Sequence, residues 1–168
     1  MLFNSGCSDL IYPIFKVGSI GPGGGFVFYD KGNNRGGWRY LEAAPANIPN
    51  TSAWASAGFT TTDITGTGTA IGSGRQNTIL ILAVDANAPA ALACRNYSNN
   101  GYNDWFLPSR DELNELYKQR ALVGISSGMF WSSSQSNNVD AWLQYFSSGS
   151  QADGTKSDGT IVRAVRAF

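Results

Sequence analysis

FWSSSQSNNVDAWLQYFSSGSQADGTKSDGTIVRAVRAF, residues 130–168, carries the strongest fold signal in the chain. Between residues 141 and 147, bulky or specific side chains alternate with smaller or interchangeable ones. This period of two is typical of a β-strand, whose successive side chains point to opposite faces of the sheet. One face would carry Trp142, Gln144 and Phe146. The other face would carry Leu143, Tyr145 and Ser147.

The aromatic face of this strand is expected to pack inward, because burying Phe or Trp removes the most apolar area from water. The second face is then left for solvent or for a ligand. Strands are predicted at Ala141–Phe146 and at Ile161–Phe168, with turns at residues 148–149, 153–154 and 158–159 between them. The C-terminal region is therefore expected to be long, irregular and rich in loops.

A helix is predicted just before this region. Ser109 and Glu112 form a capping box, Ser-x-x-Glu, which is a sequence signature of a helix start. The predicted helix covers Arg110–Arg120 and has apolar residues at helical spacing. The residues expected to face the core are Leu113, Leu116 and Tyr117. Acidic residues in the first turn are interpreted as stabilising the helix N-terminus rather than as a catalytic pair.

Another helix is predicted over Thr78–Asp85, with Asn77 as its N-cap, and Pro89 can start a further helical piece through Cys94. The apolar run ILILAV within this region could equally form a buried strand, which periodicity alone does not settle.

Further toward the N-terminus, residues 23–30 and 38–44 are β-rich and flank a loop of turn formers, which predicts a β-hairpin. Strands, then helices, then strands indicate an α+β fold rather than a parallel α/β repeat. The length of 168 residues suits a single domain, expected over residues 16–168 with a tail or linker at 1–15.

The composition narrows the classes of partner. Only 14% of residues are charged, below the ~25% of typical soluble chains, and the formal net charge is zero. Nucleic acid is therefore not expected as a partner. No apolar run approaches the ~20 residues of a membrane span, so membrane insertion is not expected either.

Few residues suit catalysis or metal binding. The chain has no histidine, which removes the commonest general base and the commonest transition-metal ligand. Cys7 and Cys94 could form one disulfide, although a buried free thiol at Cys94 is favoured. Asp104, with its neighbours Asn99, Asn100 and Asn103, offers oxygens that could bind calcium, but the same residues are typical of tight turns. We expect no enzyme and no cofactor, with calcium as the one candidate ion.

Four separated motifs resemble one known family. GYNDWFLPSRDELNELY (residues 101–117) resembles the signature of the C-terminal domain of Legionella collagen-like proteins. FWSSSQ…AW…F…G…VRAVRAF resembles the closing part of that family, and GPGGGFVFYD and GGWRYLEAAP resemble its opening. The family is similar to the variable proteins of diversity-generating retroelements, phage or bacterial surface proteins with a C-type lectin fold. In those proteins a C-terminal cassette is rewritten by adenine-directed mutagenesis while its scaffold stays constant.

The resemblance implies a C-type-lectin-like α+β fold with two helices, and a variable cassette at residues 130–168 that binds a protein or glycan on a cell surface. The implied ligand-binding residues are Ser136, Asn137, Val139, Asp140, Leu143, Tyr145, Ser147, Ser148, Ser150, Ala152, Asp153, Thr155, Ser157, Asp158, Thr160 and Ile161. The implied scaffold residues are Trp105, Trp131, Trp142, Gln144, Phe146 and Phe168.

Such a protein would be located on a phage virion or on a bacterial cell surface, or would be secreted. Two other functions stay open. One is a fixed-specificity bacterial adhesin that binds a glycan or glycosaminoglycan. The other is an oxidase similar to the formylglycine-generating enzymes, whose reactive cysteine pair the contexts of Cys7 and Cys94 do not match.

Overall fold

The computed structural model describes residues 14–168. Within them, the elements are β1 (Phe26–Asp30), β2 (Tyr40–Ala43), α1 (Gly74–Val84), α2 (Pro89–Asn96), α3 (Arg110–Lys118), β3 (Met129–Gln135), β4 (Asp140–Tyr145), β5 (Gln151–Thr155) and β6 (Val165–Ala167). A short 3-10 turn at Arg35–Gly37 lies in the loop between β1 and β2. The α+β class is confirmed. The three helices correspond to the three helical segments predicted from the residues, and not to the two that the resemblance implied.

The strands form two antiparallel sheets of three. The first sheet has the order β1-β2-β6, so the early hairpin pairs with the last strand of the chain. The second has the order β3-β4-β5 and comes entirely from the C-terminal stretch. The predicted hairpin and the strand near residues 141–146 are confirmed. The last strand is shorter than predicted because Ile161 exchanges backbone hydrogen bonds with β3 and not with β2.

The start of α3 has the predicted capping box. Ser109 Oγ accepts the N–H of Glu112, and the Glu112 carboxylate accepts the N–H of Ser109 at 2.7 Å. The same carboxylate accepts the N–H of Gly72 at 2.8 Å, just before α1. The Glu112 side chain has no exposed surface, and its carboxylate joins the starts of two helices.

The first helix begins earlier than predicted, at Gly74, and the apolar run ILILAV is helical. The prediction that Asn77 is the N-cap was wrong, because Asn77 lies within α1. Its side chain exchanges hydrogen bonds with the backbone of Gly68, at 2.7 and 2.8 Å, and so holds the preceding loop against the helix. Among residues 14–168, no single helix is long and apolar enough to cross a membrane; α1 and α2 reach that length only together, across a bend of 118°.

Two apolar clusters form the core. The first contains Trp54, Trp105 and Trp131, and lies under the long loop that precedes α1. The second lies under α3 and contains Phe28, Phe130 and Phe146. The central strand β4 contributes Leu143 to the first cluster, and Phe146, the residue directly after β4, belongs to the second.

The predicted faces of β4 need two corrections. Leu143 was expected outside but is 5% exposed, because its face is covered by the first core cluster. Trp142 was expected inside but is only half-buried. Helix α3 covers the other face: Arg110 contacts Trp142, Asn114 contacts Gln144, and Tyr117 contacts Phe146, which directly follows β4. Trp142 stays partly open because α3 begins at Arg110, so only the first helical residue covers it.

Candidate ligand-binding surface

Several predicted binding residues come together at the end of the second sheet that carries the β3–β4 turn, here called its open end. The β4–β5 register places Asp140 opposite Thr155 and Trp142 opposite Asp153, and directly opposed residues share one face. Ser136 joins them through a 3.3 Å hydrogen bond from its hydroxyl to Asp153. We call this surface the polar face; it consists of Ser136, Asn137, Asp140, Trp142, Asp153 and Thr155.

The β3–β4 turn beside the polar face is held by Asn137. Its amide nitrogen donates to the Asp140 carboxylate at 3.0 Å. Its amide oxygen accepts the backbone N–H groups of Val139 and Asp140 at 2.8 and 3.0 Å. These bonds satisfy the turn locally, while Asn137 and Val139 stay exposed. The turn therefore presents polar atoms and one apolar side chain to solvent in a defined geometry.

Two residues of this region were not predicted as part of a binding surface, Trp142 and Arg110. The Arg110 guanidinium lies over the Trp142 ring, 5.1 Å from its centroid, and its Nε is 3.0 Å from Asp111. Stacking of this kind presents a flat cationic and aromatic surface beside the carboxylates of the polar face. The capping box could have placed Arg110 at the N-terminus of α3, because it is the first residue after the N-cap.

A second group of predicted residues lies at the turn between β4 and β5, residues 145–150, here called the hairpin tip. Tyr145, Ser147, Ser148 and Ser150 are exposed there. Tyr145 lies opposite Met129, and the two side chains are 38% and 41% exposed. Gly149 is required at the tip, since its φ is +83° and a Cβ there would lie 2.5 Å from the Tyr117 ring.

The other predicted binding residues range from exposed to buried. Ser157 and Asp158 are exposed in the turn after β5, and Ala152 and Ile161 are half-buried. Thr160 is only 3% exposed, because its backbone N–H and C=O both bond to Ser52. Leu143 and Thr160 were therefore wrongly placed on the binding surface, since each is at most 5% exposed.

Most of the predicted scaffold residues are buried. Trp105, Trp131, Gln144 and Phe146 are at most 1% exposed. The Gln144 amide donates to Asn114 at 3.0 Å and to the Gly149 carbonyl at 3.1 Å, so it connects β4 to α3 and to the hairpin tip. Phe168 is half-buried against Tyr40, with ring centroids 5.4 Å apart.

Lys156 is the single basic residue of the segment 136–160 and has no exposed surface. Its ammonium donates at 2.8 Å to the Thr62 carbonyl, to the Gln135 side chain and to the Asn138 carbonyl. Burial lowers the pKa of this ammonium. The charge of Lys156 is thus directed inward, and the exposed charges of the segment are the carboxylates of Asp153 and Asp158, with that of Asp140 half-buried.

The concave surfaces lie elsewhere. Two adjoining clefts, of about 530 and 560 Å³, share Arg75, Ile79, Asp104 and Phe106 in their walls. None of the predicted binding residues lines them, whereas the scaffold residues Trp105 and Phe168 do. The site expected from sequence is therefore an exposed surface and not a cleft.

The candidate calcium ligands form a turn. The Asp104 carboxylate binds the guanidinium groups of Arg166 and Arg75. The Asn99 and Asn100 amides donate to the carbonyls of Gly23 and Pro22, at 2.8 and 2.7 Å. Among residues 14–168, no group of three or more Asp, Glu, Cys or His side chains is placed to hold a metal ion. Asn99 and Asn100 therefore attach this turn to the segment that precedes β1.

Cys94 is buried, and burial raises the pKa of its thiol. A thiol in this state is a poor nucleophile, because the thiolate is the reactive form. Cys7, its candidate disulfide partner, lies outside the described residues.

Comparison with known proteins supports the resemblance first seen in the sequence. The solved structure of a fimbrial protein from Bacteroides ovatus is similar, with a TM-score of 0.50 and 17% sequence identity. The similarity covers 77% of this chain and 36% of that one, and at this identity it shows the fold alone. No curated protein matches the sequence. The family model described as the Lcl C-terminal domain matches residues 50–166, which is more than half of the chain. The chain therefore belongs to the Lcl C-terminal domain family, as its motifs predicted.

Proposed function

We propose that this chain is a recognition domain, displayed on a bacterial or phage surface or secreted, that binds a protein or glycan through the polar face and the hairpin tip. The observation that carries the proposal is the separation of roles within one hairpin. Exposed polar side chains occupy its open end and its turn, while buried Gln144 and Phe146 fix the strand between them. Small hydroxyl, amide and aromatic side chains on a rigid frame are typical of adaptable binding surfaces.

The fold supports a binding role of this kind. The first sheet joins the early hairpin to the last strand, and the second sheet is built on the loop-rich segment between them. We propose that this is a C-type-lectin-like arrangement. The Bacteroides ovatus protein is described as fimbrial, which supports a surface or adhesion role for the domain they share.

We further propose that the surface is diversified by a retroelement. Changing the adenines of an Asn codon can give Ser, Asp, Thr or Tyr but never Trp, Gln or Lys. Apart from half-buried Trp142 and from Asn137, which the unchanged codon encodes, the solvent-facing side chains of the polar face and hairpin tip belong to the first group. Gln144 and Lys156, which belong to the second group, are buried. On this view Trp142 is a constant contact residue surrounded by positions that change.

The proposed function does not include catalysis, nucleic-acid binding or membrane insertion. The buried Cys94 thiol argues against the chemistry of a formylglycine-type oxidase. The outward-facing carboxylates near β5 would repel a phosphate backbone.

The genomic test is a search for a near-identical copy of the sequence encoding residues 130–168 beside a reverse-transcriptase gene. Differences restricted to adenines, and to exposed positions, would support diversification. A single invariant copy would instead favour the fixed-specificity adhesin.

The binding test compares the wild type with a variant carrying Asp140→Ala, Asp153→Ala and Thr155→Ala on panels of immobilised glycans and intact bacterial cells. The triple variant should lose or change its targets while its thermal melt stays close to that of the wild type. Arg35→Ala, an exposed change in the β1–β2 loop, is the matched control and should bind as the wild type does. Equal binding by all three proteins would refute the polar face as the site.

A further inference from the structure

The edges of the two sheets are not equally protected. A sheet edge exposes backbone N–H and C=O groups that can pair with another chain, and proteins usually cover it. Among the described residues, other segments bond the outer sides of β1, β6 and β3. The bonding pairs are Gly18–Val27, Phe106–Val165 and Trp131–Ile161. The exception is β5, which pairs only with β4 in this part of the chain.

The register shows which backbone groups of β5 point outward. Two hydrogen-bonded pairs enclose the β4–β5 ladder: Tyr145–Ser150 at 2.9 Å and Val139–Lys156 at 3.0 Å. Hydrogen-bonded and non-bonded pairs alternate along an antiparallel ladder, and this one has no register shift. Ala152 and Gly154 therefore face β4 with their backbone groups. The N–H and C=O groups of Gln151, Asp153 and Thr155 point away from it.

These outward groups are mostly free. Within residues 14–168, the N–H groups of Gln151, Asp153 and Thr155 and the C=O groups of Gln151 and Asp153 have no hydrogen-bond partner. The Thr155 carbonyl accepts the N–H of Asp158 at 2.8 Å, which ends the free edge at the following turn. Asp153 and Thr155 are exposed, so a second extended chain can approach the edge.

The side chains around the β5 edge favour an added strand that carries basic residues. The side chain of Asp153 lies on the polar face beside Trp142. Asp158 is exposed one turn further on, and the Lys156 ammonium is buried. The Arg110 guanidinium lies over the Trp142 ring, but its charge is paired with Asp111 at 3.0 Å, so the carboxylate of Asp153 stays without a cationic partner among the described residues. A residue opposite Asp153 on an added strand would extend the row Trp142–Asp153 by one position, where Lys or Arg forms the favourable cross-strand pair.

We propose that β5 accepts an extended basic segment of a partner protein as a fourth strand of the second sheet. Backbone hydrogen bonds from Gln151, Asp153 and Thr155 hold the segment, and basic side chains at alternate positions reach the polar face. The inference rests on the proposed function in that β5 borders the polar face. It adds that the main chain supplies a contact that side-chain diversification leaves unchanged.

The charges also argue against two other occupants. A second copy of the chain paired through β5 would place acidic residues close to acidic residues, which is destabilising. The segment 1–13 of the chain itself has no Lys or Arg to meet Asp153.

The test uses amide hydrogen exchange of the whole chain with a synthetic peptide of alternating Lys and Thr, about eight residues long. The peptide should slow exchange at the Gln151, Asp153 and Thr155 amides by at least about tenfold at millimolar concentration. A peptide with Glu in place of Lys should bind at least about tenfold more weakly, as should one that is N-methylated along its pairing edge. Equal binding of the N-methylated peptide, or no protection of these three amides, overturns the proposal.

Two variants at Asp153 separate the contribution of its backbone N–H from that of its side-chain charge. Asp153→Pro removes an outward N–H without breaking the ladder to β4, and should abolish amide protection at Gln151 and Thr155. Asp153→Asn keeps the N–H and should weaken binding only partly. If the Pro variant does not fold, the N-methylated peptide on the wild type decides alone. Protection of these amides that depends on protein concentration, without peptide, would overturn the proposal in favour of self-pairing.

This experiment fails separately from the test of the proposed function. Loss of target binding in the triple Ala variant concerns side chains, whereas amide protection along β5 concerns the backbone.

Discussion

Glu112 connects the starts of α1 and α3, and its replacement by Gln tests how much of the fold depends on one carboxylate. Its two oxygens accept the N–H groups of Gly72 and Ser109, at 2.8 and 2.7 Å. All of these groups are donors, so the site needs a side chain that only accepts. Glu112→Gln keeps the shape of the side chain but places an NH2 group against a backbone N–H.

The cost of this change follows from the contacts. One hydrogen bond to a charged group, worth about 1.5–3 kcal/mol, is lost, and a buried donor left unpaired costs about 1–3 kcal/mol more. Part of this is offset, because burial raises the pKa of Glu112 and so disfavours its ionised form. We expect the free energy of unfolding to fall by about 2–4 kcal/mol, a large part of the ~5–15 kcal/mol of a typical domain.

Urea unfolding followed by tryptophan fluorescence measures this difference. Glu115→Gln is the matched control on the same helix; it removes a surface ion pair with Lys118 at 2.6 Å and should cost less than about 0.5 kcal/mol. If Glu112→Gln costs no more than the control, the carboxylate does not join the two helices in the way described.

Three further results are expected. Phe146→Ala should lower the free energy of unfolding by about 3–5 kcal/mol, because Phe146 is fully buried, whereas exposed Tyr145→Ala should cost less than about 1 kcal/mol; equal losses in thermal melts would contradict the assignment. Lys156→Met should cost about 1–3 kcal/mol in urea unfolding, since three partly buried hydrogen bonds lose their donor, and a neutral result would show that water replaces the ammonium. The Arg39 guanidinium holds the pKa of Asp30 below its usual range, so their pair contributes stability above that range and loses it as the pH falls; Asp30→Asn should therefore flatten the acid side of the stability–pH curve, and an unchanged curve would contradict this.

Local signals in the sequence were sufficient for the elements with strong chemistry. The capping box at Ser109 and Glu112 predicted the start of α3, because both of its hydrogen bonds are formed within four residues. The alternation in β4 predicted a strand. Neither signal showed that Glu112 also reaches Gly72, since that contact joins residues 40 positions apart.

The errors on β4 have one cause. Alternation shows that two faces exist but not how far each is covered. Leu143 is buried because the first core cluster lies on its face, and Trp142 is half-open because α3 starts at Arg110. Both facts depend on the packing of segments distant in sequence. Of the residues predicted to bind, those in the turns at 147–150 and 157–158 lie at the surface, because turns lie at the surface in any fold. The turn predicted at 153–154 was wrong, since these residues belong to β5.

The three hydrogen bonds of Lys156 join the loop at Thr62 and the β3–β4 turn at Asn138 to the end of β3 at Gln135. Loops that are free in solution lose conformational entropy when they bind, and this loss weakens affinity. Here the loss is incurred during folding, before any ligand arrives. A population of chains that differ only at exposed positions beside Lys156 would therefore share one rigid backbone, and their affinities would differ through contact chemistry alone.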